Sequence, residues 1–427
     1  MITVIIVCFL LFLALGVPIA FVLGLDAVVF ISLVKVPLVL VPQRIFVFLD
    51  SFVMIAIPCY MLTGALMTRG GLTQRLVKFL QTLVGHIRGA LAIVNVLASM
   101  LFAGIQGSAT ADTAAIGGIL IPAMKKAGYT PEVSAAVTAA SSTIGPIIPP
   151  SILFVVYAVI ANTSIGALFL GGAVPGILSG LAMIILIVII GKKQNWEKSP
   201  VRASFKEVLS GTKDAILALI APLIIVGGII SGIVTPTEAA VIAVLYSFIC
   251  GTFIFKEIKL RDLPKILLET AILSGGIMII VGMAGIFSWV LTYVQVPRIV
   301  SEAILGVTDN PILILLMINI ILLFVGTFLE QVSAITIFTP ILLPIAMKLG
   351  LDPIHFGVVL VFNLVIGLVT PPVGSCLYIA CGIAKIRFER LVVAILPYLV
   401  AVIAVLFLIT FWPPLVTTLP TWILGQK

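Results

Sequence analysis

The sequence predicts an all-α, polytopic membrane protein built from two inverted-topology repeats, each with a re-entrant helical hairpin and a discontinuous helix. Three observations predict it. Apolar residues make up 62% of the chain and charged residues only 9%, against about 45–50% and about 25% in soluble domains. Residues 101–150 align without a gap on 323–372, with fourteen identities in fifty positions, including Gly104/Gly326, Gly128/Gly350, Pro131/Pro353, Gly145/Gly367, Pro149/Pro371 and Pro150/Pro372. Within each repeat the apolar run is interrupted at the same two places, first by small and polar residues and later by a Pro-Pro pair. Matching interruptions in two halves of an apolar chain mark a secondary transporter.

The 427 residues allow about ten spans of ~20 residues. The first run, MITVIIVCFLLFLALGVPIAF, lacks a basic leader and continues through Pro18, so it reads as a retained first helix rather than a signal peptide. Two strongly basic loops, 191–206 and 256–265, flank an even number of apolar runs, which places both on the cytoplasmic side. Working outward, spans fall near 3–17, 19–41 and 50–68, followed by a basic stretch with Arg69, Arg75, Lys78 and Arg88. A hairpin over 89–124, a broken segment over 131–163 and a span near 166–190 complete the first half.

The second half repeats the plan. Spans near 212–233, 236–255 and 266–294 lead through an irregular stretch with Pro297 and Pro311. A hairpin over 312–347, a broken segment over 353–384 and a last span near 391–412 follow. Five crossings per half invert the second half relative to the first. The map puts the N-terminus outside, with Lys35, Arg44 and Arg298 as exceptions to the charge rule. The net charge of +8 is thereby a topology signal and not a nucleic-acid one.

The breaks are the first candidate sites. Proline removes a donor and clashes with the preceding turn, and freed carbonyls are tolerated in lipid only where protein or a polar cavity satisfies them. Ser141, Ser142 and Thr143 add hydroxyls at the first break, near Gly145; Asn363 and Thr370 add oxygens at the second, near Gly367. Together with Gly104, Gly326 and Thr327 of the hairpins, these uncharged oxygen donors form a candidate Na⁺ set. The competing reading is a kink in which hydroxyls re-satisfy the helix backbone.

Substrate candidates are Ser108 and Asp112 at the first tip, Glu330 at the second, Glu238 and Arg298. An acid inside an apolar run is a functional candidate, although Asp112 and Glu330 could each cap a helix instead. TPTE at Thr235–Glu238 has the form of a helix cap. Arg298 could meet a substrate carboxylate or pair with Glu302 one turn on. The five cysteines have no CxxC spacing and read as buried free thiols. The two histidines, His86 and His355, read as loop residues, and neither a nucleotide-binding loop nor an enzyme motif is present. The chain is expected to be no enzyme, to hold no organic cofactor and to draw its energy from an ion gradient or a partner.

The segments FAGIQGSATADTAAIGGILIPAMKKAGY, SSTIGPIIPPS, GTFLEQVSAITIFTPILLPIA and GLVTPPVG resemble the large membrane subunit of tripartite ATP-independent periplasmic (TRAP) transporters, most of all its sialic-acid-transporting members. The likeness covers nearly the whole chain. It implies an elevator-type, Na⁺-coupled transporter of an anionic substrate in a bacterial inner membrane. It also implies a small four-helix membrane subunit, expected here as a separate polypeptide, and a periplasmic substrate-binding protein. The resemblance divides the chain into scaffold helices (1–88 and 212–311), transport segments (89–190 and 312–427) and a cytoplasmic linker (191–211). Other readings kept open are a C4-dicarboxylate or other organic-acid TRAP subunit, a binding-protein-independent anion transporter of the same repeat type, and a facilitative pore, against which the paired discontinuous sites argue.

Overall fold

The computed structural model describes residues 2–194, 196, 205–308 and 310–425; for residues 2, 103–106, 205, 206, 214 and 305 it describes the backbone state alone. Lys198 and Arg202 of the first basic loop therefore lie outside the described residues. The described residues are helical with no strand. The first half contains α1 (Ile2–Ala14), α2 (Ile19–Leu33), α3 (Leu40–Leu49), α4 (Ala56–Arg69), α5 (Leu72–Val84), α6 (Ala90–Gln106), α7 (Ala109–Lys126), α8 (Pro131–Ser142), α9 (Ile152–Ala161) and α10 (Ile165–Lys193). The second contains α11 (Phe205–Ile230), α12 (Pro236–Ile249), α13 (Leu263–Tyr293), α14 (Val296–Leu305), α15 (Pro311–Phe328), α16 (Gln331–Lys348), α17 (Pro353–Gly367), α18 (Ser375–Ala384), α19 (Phe388–Phe411) and α20 (Pro414–Leu424).

The repeat is realised in register at the hairpin tips and at the helix starts that follow the hairpins. The hairpins are α6–α7 and α15–α16, and the second arms end at the aligned Lys126 and Lys348. Gly128 and Gly350 follow with φ of +85° and +79°, conformations open to glycine at little cost. Thr130 and Asp352 then cap α8 and α17, each of which starts on the aligned proline; proline suits a first turn, whose N–H has no helical partner. Both Pro-Pro peptide bonds, Pro149–Pro150 and Pro371–Pro372, are cis.

Packing exchanges the two halves. α7 packs on α8 and on α18, while α16 packs on α17 and on α9. Each hairpin thus touches the first half of its own broken helix and the second half of the other one. The main apolar core runs through these elements, with Phe154, Tyr157, Phe356 and Phe362 fully enclosed. Tyr157 crosses between the repeats and donates its hydroxyl to the Pro353 carbonyl at 2.7 Å. A second set of contacts joins α2 and α3 to α13, α4 to α12 and α13, and α5 to α11.

Several boundaries differ from expectation. The span placed at 19–41 ends at Leu33, where Lys35 turns with φ +55°, and α3 is a separate helix. The stretch around Pro297 is not irregular but forms α14, with Pro297 in its first turn. α5 occupies the basic stretch, and α20 follows the last span. His355 is not in a loop: it lies in α17, 1% exposed, with Nε2 2.8 Å from the Ile409 carbonyl. The cysteines are free; Cys250, Cys376 and Cys381 are buried, whereas Cys8 and Cys59 are only partly covered. By length and apolarity alone, seven helices among the described residues could cross a membrane. Two of the seven are α15 and α16, the arms of the second hairpin, which the expected map does not count as crossings; α1, α2 and the halves of both broken helices are individually too short for the length test.

Candidate transport site

The hairpin tips and the helix breaks enclose one cavity of 790 Å³. At the first tip, Gly107 (φ +59°) turns the chain, and a β-carbon there would stand 2.9 Å from the Pro150 carbonyl. Ser108 caps α7, accepting from the Ala111 N–H at 3.5 Å. At the second tip the aligned Glu330 has the same job, accepting from the Ser333 N–H at 3.1 Å. Ser151 caps α9 and donates to the Pro146 carbonyl across the first break. α18 starts after Gly374 (φ +59°) with no side-chain cap.

Four helix N-termini therefore reach this cavity, since its lining includes Ser108 to Ala111 of α7, Ile152 of α9, Glu330 and Gln331 of α16 and Ser375 of α18. Helix N-termini carry partial positive charge and unpaired N–H groups. Among the described residues no Lys or Arg lines the cavity. The opposite wall is largely apolar, formed by Met61 and Ala65 of α4 and Leu273 and Ile277 of α13; Glu269 and Thr270 of α13 are its polar members.

Behind the tips lie two buried polar clusters. In the first, Asn95 of α6 donates to Thr138 at 2.6 Å and accepts from Ser141 at 3.2 Å, and Ser99 bonds Ser141 at 3.1 Å. Asp112 sits beside them, 1% exposed, with neither oxygen in a hydrogen bond. The Ser99 and Ser142 hydroxyls are near enough to interact with it, but outside hydrogen-bond geometry. In the second cluster, Asn363, which aligns with Ser141, donates to Oδ1 of Asn319 at 2.7 Å and to its carbonyl at 3.1 Å. Asn319 in turn donates to Thr410 at 3.2 Å.

The sequence candidates separate accordingly. Ser108, Glu330, Gly326, Thr327 and Gly367 line the cavity. Asp112, Ser141, Ser142, Thr143, Gly145, Asn363 and Thr370 do not. Asp112 is in the first full turn of α7 and faces inward, not into the cavity. The hydroxyls of Ser142, Thr143, Thr327 and Thr370 donate to carbonyls of their own helices at 2.6 to 2.8 Å, as in the kink reading, which leaves oxygen lone pairs for a cation. Gly104 lies outside the described residues except for its helical state. Glu238 closes a capping box with Thr235, and Arg298 pairs with Glu302 at 2.8 Å; neither lines the cavity. Asn95, Ser99, Asn319, Glu269 and Ser375 escaped sequence reasoning. Asn95 and Asn319 were visible as lone polar residues inside apolar runs.

A polytopic chain with paired hairpins, paired breaks and a shared cavity defines a membrane permease. The family model described as the DctM component of the tripartite ATP-independent periplasmic transporters matches residues 6–415, and the chain belongs to that family. It is 40% identical to the sialic acid TRAP transporter large permease protein SiaM of Vibrio cholerae, over 96% of each chain. It is 41% identical to the C4-dicarboxylate large permease protein DctM of Pseudomonas aeruginosa, over 88% of this chain and 87% of that one. It is 43% identical to the isethionate permease protein DctMQ of Oleidesulfovibrio alaskensis, over 95% of this chain and 64% of that one. Among solved structures, the YdaH transporter of Alcanivorax borkumensis shares the fold, with a TM-score of 0.64 at 15% identity over 87% of both chains. The chain is thus a large permease component of a transporter and not a member of an enzyme class.

Proposed function

We propose that this chain carries out Na⁺-coupled uptake of an organic acid, sialic acid (N-acetylneuraminate) first among them, across a bacterial inner membrane. The observation that carries this reading is the convergence of four helix N-termini on a cavity with no lysine or arginine among its described lining residues. Such a site holds an anion through backbone N–H groups and dipoles. Two of the four ends carry acids, Asp112 in α7 and Glu330 in α16. The ends of α9 and α18 carry none and are assigned the substrate carboxylate.

Asp112 supports the cation half. A buried carboxylate without a partner is costly, and hydroxyl oxygens beside it suit a hard ion such as Na⁺. Ser99, Ser142 and Asp112 would hold one Na⁺; Gly326, Thr327, Gly367 and Thr370 with their carbonyls and hydroxyl oxygens would hold another. The apolar patches of α4 and α13 favour an elevator, because a surface without directional bonds lets the hairpin domain slide. In this reading 1–88 and 212–311 stay fixed, 89–190 and 312–427 move, and the N-terminus is periplasmic. A small four-helix membrane subunit holds the fixed part, and a periplasmic binding protein delivers the substrate.

The sialic acid and C4-dicarboxylate readings share the same carboxylate chemistry, and relatives named for either are about equally similar. A cavity of 790 Å³ falls within the ordinary small-molecule range and has room for the bulkier sugar acid. Uptake by the reconstituted complex with a panel of organic acids, each with its binding protein, tests the assignment. Accumulation of N-acetylneuraminate over succinate and isethionate supports it; failure to move any organic acid overturns it.

A further inference from the structure

Glu269 is an acid on the wall of a cavity that lacks lysine and arginine among its described lining residues. It lies four residues beyond Lys265 in α13, at the end of that helix where Glu257 of the preceding segment meets Gly71, between α4 and α5, and Arg75 of α5. Its carboxylate is held by the guanidinium of Arg69, the last residue of α4. Both side chains remain partly exposed, at 38% and 44%, so solvent and solutes reach the pair.

We propose that the cavity has an exit past Glu269, and that Arg69 sets the charge of this exit and lets an anion leave. Alone, Glu269 presents a negative wall to any departing carboxylate. Paired with Arg69 the wall is neutral, and the guanidinium offers N–H donors to the anion as it passes. The pair joins two helices that face the cavity from the same side, so it can act on the path without touching the hairpin tips. Its transport role rests on the organic-acid reading above, but the electrostatic core of the proposal does not.

The test measures the path itself. Leu273 lines the cavity one turn beyond Glu269 and is exposed. In the full chain with its five native cysteines replaced, Leu273→Cys is treated in open membrane vesicles with anionic (sulfonatoethyl) and cationic (trimethylammonioethyl) methanethiosulfonate. The ratio of the two rates reports the charge along the exit. Arg69→Ala lowers the anionic-to-cationic ratio by about threefold, since one unit charge at roughly 7 Å across water shifts the two reagents in opposite directions and salt screens about half of each shift. Glu269→Gln raises it by a similar factor, and the double variant returns it to the starting value. A purely structural tie between α4 and α13 would move both single variants the same way or leave both unmoved, and either result overturns the proposal. If Arg69→Ala does not fold, Glu269→Gln decides alone, because its ratio must rise. A failed organic-acid panel would remove the proposed function while leaving this ratio as expected, so the two failures are distinguishable.

Discussion

Gly326 and Gly367 meet backbone against backbone, so that a β-carbon on Gly367 would overlap the Gly326 carbonyl. This contact seats the second hairpin on the second helix break. Around the aligned glycine in the first repeat, Gly145, the described residues would place the Ser142 carbonyl 3.1 Å and Ser108 3.8 Å from a β-carbon. Gly367→Ala should lower stability by about 1–3 kcal/mol, the usual cost of overpacking. Thermal unfolding of the purified variant beside the wild-type chain in one detergent checks the loss.

Ser108 and Asp112 are one turn apart but face different surroundings. Ser108→Cys should react with a water-soluble thiol reagent in a cysteine-free background, and bound substrate should protect it. Asp112→Cys should be unreactive under the same conditions, because the position is 1% exposed and off the cavity. Measuring both labelling rates checks the rotation of α7.

How much of this site could be read from the sequence follows from the kinds of residue that mark it. Gly128/Gly350 and Pro131/Pro353 fixed turns and helix starts, because each permits a backbone geometry that few residues share. The Pro-Pro pairs located both breaks. Asp112 was misplaced because the helix begins at Ala109, inside the stretch read as tip, and a helical rotation then carries the side chain into the core. α5 and α14 were missed because amphipathic helices are polar enough on one face to resemble loops. His355 looked like a loop residue beside Asp352 and Pro353, yet those two are the cap and first turn of α17. The asparagine clusters depend on contacts between residues more than forty positions apart, and no local pattern announces such a pairing.

Asp112 is expected to bind Na⁺. Sodium should therefore raise the unfolding temperature of the wild-type chain relative to potassium at equal ionic strength, as any ligand of the native state does. Asp112→Asn should fold at least as well, since it removes an unpaired buried charge, and should lose the sodium-specific increment. A variant that keeps the full increment would place the ion elsewhere.

Glu238 should be a cap and nothing more. Its carboxylate accepts from the Thr235 N–H at 2.7 Å on an exposed helix start. Glu238→Gln should leave uptake unchanged and lower the unfolding temperature only slightly, because an exposed capping-box partner adds little. Parallel uptake and melting measurements separate the two effects.

The most direct test of the account is uptake by the chain reconstituted with its small subunit and binding protein, driven in turn by inward gradients of Na⁺, K⁺ and choline. The account predicts accumulation of the organic acid with Na⁺ alone, and none when the binding protein or small subunit is left out. Undiminished uptake with K⁺ or choline in place of Na⁺ would contradict it.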